Sequence, residues 1–253
     1  MITLKMKSKI GTYLSERNGS DRRAGIERIN SYVNSIGSEP IELVMLWGAS
    51  TKNHASKSDK DTLLYMFHFI KELQLVYEKT CNLRVIFTDT HVHLNGYDLN
   101  LMESYFADIK YHLRKHKFTY TYCSTVLRDY ITNNGFSDWK EFIQHIIEEP
   151  LNLFKSTEIS EQQASVFKNY ATKHCNRLKG SISSNEITLN ANEASKAYLY
   201  LSHIEKKEIA RSFKNSMFIT YMNKEEDFVL PNLPIVRLYS VKSGLRTRPW
   251  FSN

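Results

Sequence analysis

Three short runs rich in branched and aromatic residues, Ile41–Trp47, Leu83–Thr88 and Phe118–Cys123, are separated by two stretches whose apolar residues recur every three or four positions. The order strand, helix, strand, helix, strand predicts a parallel sheet covered by helices, because parallel neighbours need a crossover long enough to hold a helix. In the first helical stretch, Asp59 to Tyr77, the stripe is Leu63, Phe67, Ile70, Leu73 and Tyr77. One face of that helix is therefore buried. Ser58, followed three residues later by Asp61, is its expected cap. The second helix is predicted over Leu99–Lys115, with Met102, Tyr105, Phe106, Ile109 and Leu113 as its stripe.

Beyond these, Gly135-Phe-Ser-Asp breaks the chain, Ser137 or Asp138 caps a helix over Trp139–Ile147, and Pro150 ends it. Residues 160–178 and 193–213 read as further helices, the latter with Ala194, Ala197, Tyr198, Leu201 and Ile204 on one face. Gly180–Asn192, rich in Ser and Asn, reads as a loop. Two late strands, Met217–Met222 and Ile235–Val241, are expected to return to the sheet, with Pro234 just ahead of the second. The prediction is one α/β domain over 1–253, a Rossmann-like, mostly parallel sheet flanked by helices. Within it, 1–150 carries the alternation, 151–214 a helical insertion, and 215–253 the returning strands and a basic C-terminal segment.

Composition excludes several other classes. The 253 residues are long enough for a substantial core. Aromatic residues make up 12% and are spread along the chain, which argues against disorder. Cys81, Cys123 and Cys175 are odd in number and widely spaced, so neither a disulfide framework nor a zinc pair is expected. The opening segment has no apolar signal core. The longest apolar runs fall far short of the ~20 residues of a membrane span. A cytoplasmic location without membrane contact is the expectation. The net charge of +7 raises the possibility of a basic RNA- or tRNA-engaging protein. The 34 basic residues are, however, interleaved with 27 acidic ones and form no block, which favours small-molecule substrates over nucleic acid.

In open α/β sheets, ligands sit beyond the carboxyl ends of the strands. Two segments occupy such places. After the first strand, Trp47-Gly-Ala-Ser-Thr-Lys-Asn-His crowds Ser50, Thr51, Lys52 and Asn53 behind Gly48, a set of donors for an anion. Neither GxxxxGK[ST] nor GxGxxG is present. After the second strand, Thr88, Asp89, His91, His93 and Asn95 put five polar groups on one short loop. Asp89 suits a general base or a partner for a substrate ammonium. Were this backbone extended, His91 and His93 would point to one face. The DTHVHL string then resembles the metal-binding opening of amidohydrolase barrels, so a metal-dependent hydrolase using His91 and His93 is the rival expectation. Against it, the chain beyond His93 is too short for a full barrel of ~250 residues, and no metal is predicted. No GxSxG elbow occurs. The C-terminal segment adds Arg237, Lys242, Arg246 and Arg248, whose guanidinium forks suit phosphate or carboxylate.

Taken together, three segments resemble the isonitrile (isocyanide) synthase family, which contains the pyoverdine/dityrosine biosynthesis-type proteins. They are the Lys52–Asn53 loop followed by the aspartate-started helix at Asp59, the strand ending in Thr88-Asp89, and the Arg237-Leu segment followed by Pro249-Trp250. The likeness touches residues 40–120 and 215–251. It departs at Thr90, where the family's usual residue is glycine, and at the histidine pair. The resemblance implies an enzyme that joins the amine of an aromatic amino acid to a carbon from ribulose 5-phosphate, with no metal or redox cofactor. Lys52, Asp89 and His91 are then the expected catalytic residues. Ser50, Asn53, His93, Arg237, Lys242 and Arg246 are the expected substrate contacts, the cations clamping the sugar phosphate.

Overall fold

The computed structural model describes residues 9–14, 21–48, 53–148, 184–220 and 234–238. Side chains are described there except at 21, 22, 184–195, 199 and 237. In chain order the elements are α1 (Asp21–Ser35), β1 (Ile41–Trp47), α2 (Lys57–Tyr77), β2 (Cys81–Phe87), α3 (Asp89–Leu94), α4 (Leu99–Lys115) and β3 (Thr119–Tyr122). There follow α5 (Cys123–Val126), α6 (Arg128–Asn133), α7 (Trp139–Glu148), α8 (Ser184–Ser212), β4 (Met217–Thr220) and β5 (Ile235–Arg237).

All five strands lie in one sheet of order β3-β2-β1-β4-β5, and every pairing is parallel. β1 and β2 are adjacent and in register from Ile41↔Cys81 to Trp47↔Phe87, as the alternation predicts. The chain first winds outward through β2 and β3, then returns to the other side of β1. The strand order therefore reverses between β1 and β4, and the Rossmann-like architecture is present.

Alternation along the strands sends apolar side chains to both faces, as a covered parallel sheet requires. One face buries Leu43, Met45, Trp47, Val85 and Phe87 with Phe69, Leu73, Phe106 and Ile109 of α2 and α4. The other buries Val44, Ile86 and Phe218 with Cys123 of α5 and Ile209 of α8. A separate cluster joins Leu94, Leu127, Phe142, Ile143 and Ile146 to Ala197, Leu201 and Ile204, tying α3, α6 and α7 to α8.

Three local expectations are corrected. The cap of α2 is Ser56, not Ser58, and its box partner is Asp59. The Asp59 carboxylate accepts from Ser56 N at 2.7 Å and from Ser56 Oγ at 2.6 Å. The same carboxylate holds the Tyr105 hydroxyl, which in turn accepts from Trp47 Nε1 at 3.0 Å. The cap thus belongs to a chain of bonds beneath the end of β1. Ser56→Ala should cost about 0.5–2 kcal/mol, read as a lower denaturation midpoint at unchanged slope.

The second correction is at residues 184–192, expected as loop but helical as the start of α8. The third is the DTHVHL segment, which is helix rather than extended loop. Gly96, at φ +70°, ends it, with its N–H donating to His93 O at 3.0 Å. Both Asp138 and Ser137 act at the start of α7. Asp138 Oδ1 accepts from Lys140 N and Glu141 N, while Ser137 donates to Glu141. The expected helix over 160–178, Pro150, the ends of the two late strands and Cys175 lie outside the described residues. Cys81 and Cys123 are free thiols. Among the described residues no helix is long and apolar enough to cross a membrane.

Candidate active site

β2 ends at Phe87, and the next residues turn directly into α3. Thr88 N donates to Trp47 O at 3.1 Å, which keeps the strand ends side by side. Asp89 is thereby held at the carboxyl edge of the sheet, where its backbone direction and the start of α5 bring it against Ser124. The Ser124 N–H donates to Asp89 Oδ1 at 3.1 Å. The carboxylate is 4% exposed. Burial pushes its carboxyl above the usual carboxylate range, hydrogen bonds from Ser124 oppose the shift, and the nearby Glu205 charge adds to it.

Helical winding separates the two histidines. Residues two apart on an α-helix point about 200° away from each other, so His91 and His93 serve different surroundings. His91 Nε2 meets Glu205 Oε2 of α8. Tyr198 stands edge-on to its ring at 4.7 Å between centroids. The Thr90 hydroxyl donates to the other oxygen, Glu205 Oε1, at 2.5 Å. Glu205 is 3% exposed, so both its oxygens are occupied inside the protein. His93 lies instead against Trp139 of α7, edge to face at 5.6 Å. Among the described residues, no group of three or more His, Cys, Asp or Glu side chains is arranged to hold a metal ion.

A second carboxylate of α8, Glu208, is also buried. Its Oε2 lies 2.7 Å from Arg211 Nη2, close but too poorly aligned to count as a directed hydrogen bond. Tyr130 and Tyr200 are hydrogen-bonded nearby, and burial followed by that bond raises the Tyr130 hydroxyl above its ordinary value. Cys123 is fully buried, and burial, with Glu205 and Asp89 beside it, drives its thiol well above the ordinary value. A thiol so placed is no thiolate nucleophile.

The remaining expected residues fall as follows. Asn53 is exposed, two residues before Ala55, whose N–H donates to Asp108 Oδ2 at 2.8 Å and pins the loop to α4. Ser50 and Lys52 lie outside the described residues, as do Lys242 and Arg246. The backbone of Arg237 pairs with Thr220 at the edge of the sheet. β5 is three strands from β2, about 14 Å by ordinary strand spacing, and nothing is described of the Arg237 side chain.

Sequence reasoning missed Glu205, Ser124 and Glu208. A signal for Glu208 did exist: it continues the apolar line Ala197, Leu201, Ile204 by four residues, an acidic residue where the stripe calls for an apolar one. Glu205 bears the same mark, four residues after Leu201, but its partners are far away in sequence; Ser124 carries no local mark.

No protein-family model matches this chain, and no curated protein matches it in sequence. Among solved structures it is similar to the crystal structure of the PvcA protein from Pseudomonas aeruginosa, with a TM-score of 0.63 at 12% identity. The match covers 93% of this chain and 83% of that one. The two proteins share a fold.

Proposed function

We propose that the protein is an isonitrile synthase-like enzyme that converts the amine of an amino acid, aromatic by expectation, to an isonitrile with a sugar phosphate as carbon donor. One observation carries the reading. A buried carboxylate, Asp89, and a histidine with one ring nitrogen already held, His91, both have the buried Glu205 as a neighbour at the carboxyl edge of a sheet of this fold. Condensing an amine with a ketone needs repeated proton transfers by groups that hold or release protons near neutrality. A carboxyl raised by burial is suited to that work, and imidazole is the side chain that most often does it. In this reading Asp89 orients the amine or moves its proton, and His91 exchanges protons with the reacting atoms.

Lys52, with Ser50 and Asn53, would meet the anionic end of a substrate from the loop after β1. Arg237, Lys242 and Arg246 would clamp the phosphate, and His93 would contact substrate from the far side of α3. The histidine pair as a metal centre gains no support from a helix that turns the two rings apart.

The test is incubation of the full chain with aromatic amino acids and ribulose 5-phosphate, followed by mass spectrometry. The expected product has lost two amine hydrogens and gained one carbon. Unchanged amino acid throughout, or one tightly bound metal per chain that disappears in a His91→Ala/His93→Ala variant, would overturn the reading.

A further inference from the structure

We infer that Glu205 is the positioning residue of this site. It fixes His91 in the Nε2–H tautomer, so that Nδ1 is the nitrogen that takes and returns protons. The inference rests on the functional reading above, but its structural half stands on geometry alone. An ionised carboxylate only accepts, so the nitrogen facing Glu205 Oε2 carries the ring proton. Glu205 cannot turn away from that task, because its other oxygen accepts from the Thr90 hydroxyl at 2.5 Å. Thr90 is completely buried, and it sits between Asp89 and His91 in the chain. Tyr198 closes a further side of the ring at 76°. The His91 side chain nevertheless remains 14% exposed, against 4% for Glu205. The imidazole can therefore reach a ligand, whereas the carboxylate behind it cannot.

The proton bookkeeping is simple. Nδ1 takes a proton from the substrate ammonium, which frees the nitrogen lone pair to form the C–N bond to the ketone carbon; the C=O π pair moves onto oxygen, which takes a proton from the newly bonded nitrogen and becomes a hydroxyl. The imidazolium so formed is balanced by the buried Glu205 charge. It then gives the proton to the hydroxyl whose C–O bond breaks, and water leaves. No oxidant, reductant or metal enters this step. Glu205 never touches substrate; it acts through the ring it holds, in the manner of a carboxylate that orients a histidine base.

The decisive measurement is the nitrogen NMR spectrum of the full chain labelled with 15N-histidine, with His91 assigned by the resonance missing from a His91→Asn variant. Wild-type His91, when neutral, should show its proton on Nε2. Glu205→Leu should spread the ring over both tautomers. Glu205→Gln, whose carbonyl still accepts, should keep the tautomer yet lower kcat by about 10²-fold with little change in KM, because the balancing charge is gone. A wild-type ring protonated on Nδ1, an unchanged spectrum in Glu205→Leu, or a Glu205→Gln enzyme with wild-type kcat would each overturn the assignment. Absence of isonitrile product from the wild-type chain would count against the functional reading alone, leaving the tautomer to decide the role of Glu205.

Discussion

Asp89→Asn should lose about 10²–10⁴ of turnover while folding more stably than the parent at neutral pH. The two effects share one cause. Asp89 is a buried carboxyl held above the usual range chiefly by burial, with the Glu205 charge adding to it. Asparagine keeps the shape and still accepts from the Ser124 N–H, but it carries no charge to bury. The sign with pH follows from linkage. Because the folded-state pKa is raised, the native protein binds more protons than the unfolded chain once pH climbs past the ordinary value of 3.8. Stability therefore falls as pH rises from there through the folded pKa, and the cost stays in place above it. The gain in the variant should be present at pH 7 and vanish below the ordinary carboxylate range. Each kcal/mol relieved raises Tm by roughly 2–4 °C in a chain of this size. Thermal melts at acid and neutral pH, beside the product assay, check both halves. Wild-type turnover in a normally folded variant would remove Asp89 from the site, and a melting temperature lowered equally at both pH values would refute the burial argument.

Phe106→Ala should cost about 3–5 kcal/mol, a fall in Tm of roughly 6–20 °C. Phe106 and Phe87 are both fully buried and lie tilted against each other, 4.3 Å between ring centroids. Tyr122 closes the group from β3, with its ring 5.6 Å from that of Phe87. Phe87 is the last residue of β2, two positions before Asp89, so the cavity would open beside the strand end that leads into the site, on the face covered by α2 and α4. Surrounding side chains can collapse only in part into such a space. Phe106→Leu, which leaves an apolar filler, should lose distinctly less. A denaturation series of the three proteins checks the order, and equal stability of Phe106→Ala and wild type would show that this layer relaxes freely.

How much of this was legible beforehand varies from element to element. β1 and α4 match their predicted limits at both ends, because each is bounded by sharp local signals and carries an unbroken period. The parallel pairing of β1 with β2 follows from the helix-length crossover between them. The DTHVHL segment misled because Thr and Val favour strands and the alternation of polar and apolar residues imitates one. What winds it into a helix is the brevity of the link from Asp89 to Gly96 and the packing of Leu94 among α6, α7 and α8. The early start of α8 was hidden by the Ser and Asn content of 181–185, although Ser183 followed three residues later by Glu186 has capping-box spacing. Asp89 and His91 could be picked out as residues, but not as neighbours of Glu205, which is 114 positions from His91. Such a contact depends on tertiary placement, to which local periodicity is blind.

The two acidic residues on the inner side of α8 also decide how that helix can be seated. An apolar stripe tolerates small slides and rotations, since one methyl group replaces another at little cost. Glu205 permits none: moving α8 along by a single residue would rotate its carboxylate by about 100° and carry it 1.5 Å along the axis. Both of its hydrogen bonds would break, and a charge would be stranded among hydrocarbon. Glu208, buried one turn further along the same helix, is a second carboxylate whose place would change with any such shift. The carboxylates thus work as a key in a lock. The long helix spans the edge of the sheet in a single setting, and the histidine opposite it inherits that definition.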